Sequence, residues 1–171
     1  MSLLKVAFLS LFIFLVACAS NKDNLTKRQD ASFQNGAVNT GIKSYSGSGG
    51  IKCCYDVYSE IKDATGEKPI LVLTRQPEPG TRIQRVSITA GSADELINYL
   101  EYQFNLPKGE TDQKSISLGG GKWRVGSNMH EGERLVFILN LNYNFAFNNG
   151  DLPELINVLK AYREKFVKLD I

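Results

Sequence analysis

The stretch from Leu135 to Phe147 reads LVFILNLNYNFAF, and its reading decides the fold. Leu135, Phe137, Leu139, Leu141, Tyr143, Phe145 and Phe147 occupy every second position. A period of two places alternate side chains on opposite faces, so the stretch predicts one long strand with an apolar face throughout. Clear one-sided alternation argues for an antiparallel sheet and against a parallel sheet buried on both faces. Asn148-Asn149-Gly150 turns the chain. Asp151 then caps a helix with Glu154 as the partner in a capping box, and Leu155, Leu159, Tyr162 and Phe166 form its buried stripe.

Working outward, Ser92-Ala93-Asp94-Glu95 opens an earlier helix whose Leu96, Tyr99, Leu100 and Phe104 share one face. Residues 69–74, 82–89, 115–118 and 122–125 read as shorter strands, and 51–63 fit either a strand or a short helix. Gly91, Glu95-Leu96-Ile97-Asn98 and Leu100 recur 59 residues later as Gly150, Glu154-Leu155-Ile156-Asn157 and Leu159. The same offset pairs Val86 and Ile88 with Phe145 and Phe147. The expected fold is therefore α+β: an antiparallel sheet of about five to six strands with two amphipathic helices on one face. Duplication of a strands-then-helix unit would account for the recurrence, although the first strands of the two halves do not align. The plain alternative is that two capped helices following strands resemble each other by chance.

Composition bounds the function. The chain has 171 residues, and 20 Lys+Arg against 18 Asp+Glu leave a net charge of +2, without the clustered basic face that nucleic acid requires. At the N-terminus, a short basic start precedes the twelve-residue apolar run VAFLSLFIFLVA over residues 6–17. That run has the length of a signal-peptide core and is too short to span a bilayer. Leu15-Val16-Ala17-Cys18 resembles the lipobox of bacterial lipoproteins, in which cleavage precedes the cysteine and its thiol receives diacylglycerol. The resemblance implies lipidation at Cys18, with Ala19 in place of the aspartate that retains such proteins at the inner membrane. An outer-membrane lipoprotein facing the periplasm is the expectation, held by its acyl chains rather than by a spanning segment. Residues 1–17 are then the signal peptide and 18–50, rich in Ser, Asn, Gly and Thr, a lipidated flexible tether. Residues 51–171 form a single α+β domain, long enough to bury its own core.

Catalytic chemistry is thinly supplied. Cys53 and Cys54 are adjacent, too close for an unstrained bond, so they read as two small buried or half-buried thiols, as a redox or ligand-sensing pair, or as partners in an intermolecular bond. His130 is the only histidine and falls in an expected turn, 128–133, so neither a metal site nor a Ser-His-Asp triad has the residues it needs. Gly119-Gly120-Gly121-Lys122 lacks the first glycine and the Ser/Thr of a phosphate loop. The carboxylate pairs Glu131/Glu133 and Asp94/Glu95 have ready roles in a turn and a cap. No cofactor is indicated.

One face of the long strand invites binding. Asn140, Asn142 and Asn144 follow Val136 and Ile138 on it, although asparagine is depleted in strands. Such a row is either solvent-facing polar surface or an amide ladder for a ligand or partner. Trp123 and Arg124, with Arg82 and Arg85, are candidate anchors on neighbouring strands. The sequence thus predicts a non-catalytic protein-interaction domain, an accessory of an envelope machine or an immunity protein. The alternative is a module for a small molecule or a cell-wall fragment.

Overall fold

The computed structural model describes residues 37–46, 52–62, 69–75 and 83–167. The proposed signal peptide, Cys18, Arg82 and the side chain of Cys53 lie outside them. The fold is mixed α+β, with one antiparallel sheet of eight strands and two helices among the described residues. The strands are β1 (Val38–Ser46), β2 (Lys52–Lys62), β3 (Ile70–Arg75), β4 (Gln84–Ile88), β5 (Gln113–Leu118), β6 (Gly121–His130), β7 (Glu133–Leu139) and β8 (Asn144–Asn148). Helix α1 (Ala90–Asn105) follows β4, and α2 (Leu152–Val167) follows β8 through a 3-10 turn, Asn149–Asp151. The sheet order is β4-β3-β2-β1-β8-β7-β6-β5.

Eight strands exceed the five to six expected, for two reasons. First, the long strand is a hairpin. Asn140 Oδ1 accepts the backbone N–H groups of Asn142 (2.9 Å) and Tyr143 (2.8 Å), and Asn140 N–H donates to the Tyr143 carbonyl (2.9 Å). The returning strand pairs Val136 with Phe147 and Ile138 with Phe145. Those four residues share the inner face, while Leu135 and Phe137 are buried on the other. Second, β1 lies inside the stretch read as tether. It pairs with β2 through Ser44↔Tyr55 and Lys43↔Asp56, and Ile42 is 1% exposed. The compact unit therefore begins at Val38 rather than residue 51. Residues 52–62 are strand throughout, which resolves their ambiguity.

Every strand sends side chains into one core shared with both helices, from Ile42, Val57, Leu71 and Val86 to Ile116, Val125, Ile138 and Phe145. Phe145 and Phe147 are fully buried, and truncating either to alanine would cost about 3–5 kcal/mol. The helices run antiparallel, linked by Arg163–Asp94 and Lys160–Glu101 (2.7 Å), surface pairs worth at most ~1 kcal/mol each. Helix α1 starts one turn earlier than expected, because Thr89 and Ser92 form the capping box. Asn148, not Asp151, caps the entry to the 3-10 turn before α2. Phe104 is 40% exposed. Gln103 takes the buried position instead, its Nε2 donating to Tyr99 Oη (2.8 Å) and the Asp112 carbonyl (3.1 Å).

The halves correspond strand by strand. Leu71↔Ile88 and Leu73↔Val86 in the first match Val136↔Phe147 and Ile138↔Phe145 in the second. Carried across β2 and β6, the register equates Val57 with Trp123, and Ser44 with Leu118. Tyr45, which pairs with Ala146 to join β1 to β8, is then equivalent to Gly119. Gly119 packs on Ser87, the equivalent of Ala146, and this contact brings the two outer edges of the sheet together.

Candidate functional site

Gly119 and Gly120, with φ of 55° and 80°, form a two-residue turn between β5 and β6. The glycine-rich segment is thus a hairpin turn, and it launches β6 so that successive residues face opposite ways. Trp123 points inward, is 5% exposed, and stacks on Tyr143 with ring centroids 6.2 Å apart and planes 13° from parallel. Trp123 is therefore a core residue rather than a surface anchor. Arg124 pairs with Ser115 on one side and Leu139 on the other, and is exposed on the outer face.

Beside the β7–β8 turn these elements enclose a recess of about 430 Å³, lined by Ser115, Lys122, Trp123, Arg124 and residues 139–142. Of the residues singled out as binding candidates, Trp123, Arg124, Asn140 and Asn142 therefore line one recess. Asn144 does not; its backbone N–H donates to Gln84 Oε1 (2.8 Å) at the start of β8. No amide ladder exists, because Asn140 and Asn142 sit in a turn, where Asn140 Oδ1 is engaged by backbone. Lys122 and Leu141 were missed. Lys122 was visible only as the end of a discarded phosphate-loop pattern. Leu141 appeared to continue an apolar face, yet at the tip of the turn it is fully exposed.

The electrostatics of the recess are one-sided. Lys122 and Arg124 are both exposed and take part in no ion pair among the described residues. Among the described residues no carboxylate lines the recess. It can thus hold an anionic group beside apolar surface.

The other candidates are scattered. His130 ends β6, with Nε2 3.8 Å from the Glu131 carboxylate. Glu131 and Gly132, both at positive φ, make the β6–β7 turn. Glu95 pairs with Lys114 (3.1 Å). Among the described residues no cluster of three or more His, Cys, Asp or Glu could hold a metal. Cys54 is exposed and disulfide-bonded, which corrects the expectation of two half-buried free thiols. Arg85 is exposed on β4 and is not among the residues lining the recess. A second recess of about 330 Å³ lies between Phe104, Leu106, Met129 and Arg134. The buried Arg134 guanidinium donates there to the carbonyls of Gln103 (3.0 Å), Leu106 (3.0 Å), Pro107 and Glu110 (3.1 Å), closing the C-terminal end of α1.

Burial, with the Asp112 carboxylate 3.0 Å from its hydroxyl, holds the Tyr99 phenol above its ordinary range. No helix among the described residues is long and apolar enough to cross a membrane. No protein-family model matches the chain, and no curated protein matches it as a relative.

Proposed function

We propose that the chain is a lipid-anchored lipoprotein of the outer membrane, facing the periplasm, whose folded domain makes a protein–protein contact and catalyses nothing. The lipobox-like Leu15-Val16-Ala17-Cys18 supports the anchor. One observation supports the contact: the recess joins two unpaired cations to a fully exposed Leu141 on a hydrogen-bonded turn. Leu139 and Leu141 together give the recess apolar surface rimmed by polar side chains, an arrangement that suits an interaction site. The matching halves also support descent of the domain from one duplicated strands-then-helix unit. A second reading, a small molecule or cell-wall fragment, is favoured by the recess volume, which falls within the range of ligand pockets.

A photo-crosslinking side chain in place of Leu141, in the lipidated protein in living cells, tests the contact. One dominant protein adduct is expected, lost with Arg124→Glu and with the mislocalised Cys18→Ser form. Adducts to small molecules alone would favour the second reading.

A further inference from the structure

We propose that the recess receives an extended acidic peptide segment, in which a carboxylate lies next to a large apolar side chain. This rests on the protein-contact reading and names the chemistry of the partner. The charge complement comes first. Among the described residues Lys122 and Arg124 form no ion pair and nothing acidic lines the site, so its charge is complemented by a partner that brings the negative group. Arg124 lies between the short side chain of Ser115 and Leu139 in the register. A small neighbour leaves room on one flank of the guanidinium, whose planar fork matches a carboxylate in bidentate geometry.

The apolar half of the motif follows from the turn. Asn140 Oδ1 pins the backbone of Asn142 and Tyr143, so Leu141 is presented in a set position beside Leu139 rather than on a yielding loop. The exposed carboxamide of Asn142 carries both a donor and an acceptor, the pair a peptide backbone requires. Single-stranded nucleic acids are held on open aromatic faces. Among the described residues the only aromatic side chain lining the recess, Trp123, is buried against Tyr143 and offers no such platform.

Trp123 is the sole tryptophan of the chain and lines the recess, so its fluorescence reports occupancy. The experiment is selection of a random peptide library displayed on phage against the full mature chain, followed by fluorescence titration with the enriched peptides. Enriched sequences should pair Asp or Glu with a large apolar residue. Their affinity should fall about tenfold for Arg124→Ala, which removes a charge-assisted bond, and stay unchanged for Asn128→Ala on the same strand. Arg124→Glu should shift the selection towards Lys- or Arg-bearing peptides. Enrichment of peptides without acid, or binding indifferent to Arg124, would overturn the acidic chemistry and leave the protein-contact reading standing. No enrichment, together with a Trp123 response to soluble muropeptides, would overturn both.

Discussion

Gly119 rests on Ser87 across the seam between the two edge strands: a Cβ at Gly119 would lie 2.6 Å from the Ser87 carbonyl oxygen and 2.7 Å from its Cβ. No side chain fits that gap, and φ of 55° adds the left-handed conformation that L-residues resist. The contact is the counterpart of the Tyr45↔Ala146 bridge, so both joints between the half-sheets fall at equivalent places.

Gly119→Ala should therefore lose about 3 kcal/mol, combining strain with displacement of β4. Gly120→Ala shares the positive φ but meets nothing within 4 Å, and should lose only about 1–2 kcal/mol. Urea denaturation of the two variants separates the terms; equal losses would mean that the seam is not closed in solution.

Asn140 and Asn142 line the same recess but should behave differently. Asn140→Ala removes the acceptor of two backbone N–H groups and is expected to cost about 1–2 kcal/mol. Asn142→Ala should stay within ~0.5 kcal/mol in stability while weakening partner binding. Thermal melts beside binding measurements distinguish the structural amide from the recognition amide.

The phenols of Tyr99 and Tyr162 predict an alkaline limit. Burial raises both above their ordinary value, and the Tyr162 hydroxyl donates to the Pro69 carbonyl at 2.5 Å. A group whose folded pKa is raised gives stability that is complete below its unfolded pKa, near 10 for tyrosine, and lost as pH rises through the folded value. Unfolding free energy should thus decline above about pH 10. Tyr99→Phe should flatten that decline, which denaturation across the alkaline range would show.

Cysteine bookkeeping tests the anchor. Cys54 is disulfide-bonded, and the chain has three cysteines. With Cys18 carrying lipid, Cys53 is the partner left within the chain. Thiol alkylation of the Cys18→Ser form without reductant should leave both Cys53 and Cys54 unlabelled. Labelling of Cys54 in that form alone would assign its bond to Cys18 and remove the lipoprotein reading.

Much of the architecture was legible where periodicity acts on one element at a time. The 59-residue offset equated Val86 and Ile88 with Phe145 and Phe147, and all four are indeed fully or nearly fully buried on the inner face. The β7–β8 turn was hidden because Leu141 and Tyr143 continue a period of two through residues that are not strand. The reversal depends on a side-chain hydrogen bond from Asn140, which hydropathy does not record. Strand β1 was hidden because it alternates poorly, with Gly41, Lys43 and Ser44 around a single buried isoleucine. Its place is decided by pairing with β2. The site was legible in residue type, through Arg124 and the asparagines, but not in arrangement, because the turn that gathers them was read as straight strand.

The early start of β1 also sets a distance. For a chain anchored at Cys18, twenty residues lead to Val38, and at full extension they span no more than roughly 70 Å. A domain starting at residue 51 would have had a leash of roughly 115 Å. On the proposed anchoring, a partner would have to come within this smaller radius of the bilayer. Under that proposal a short leash would also hold the recess at high local concentration over a narrow shell, where even a modest intrinsic affinity would secure a neighbour in the same membrane.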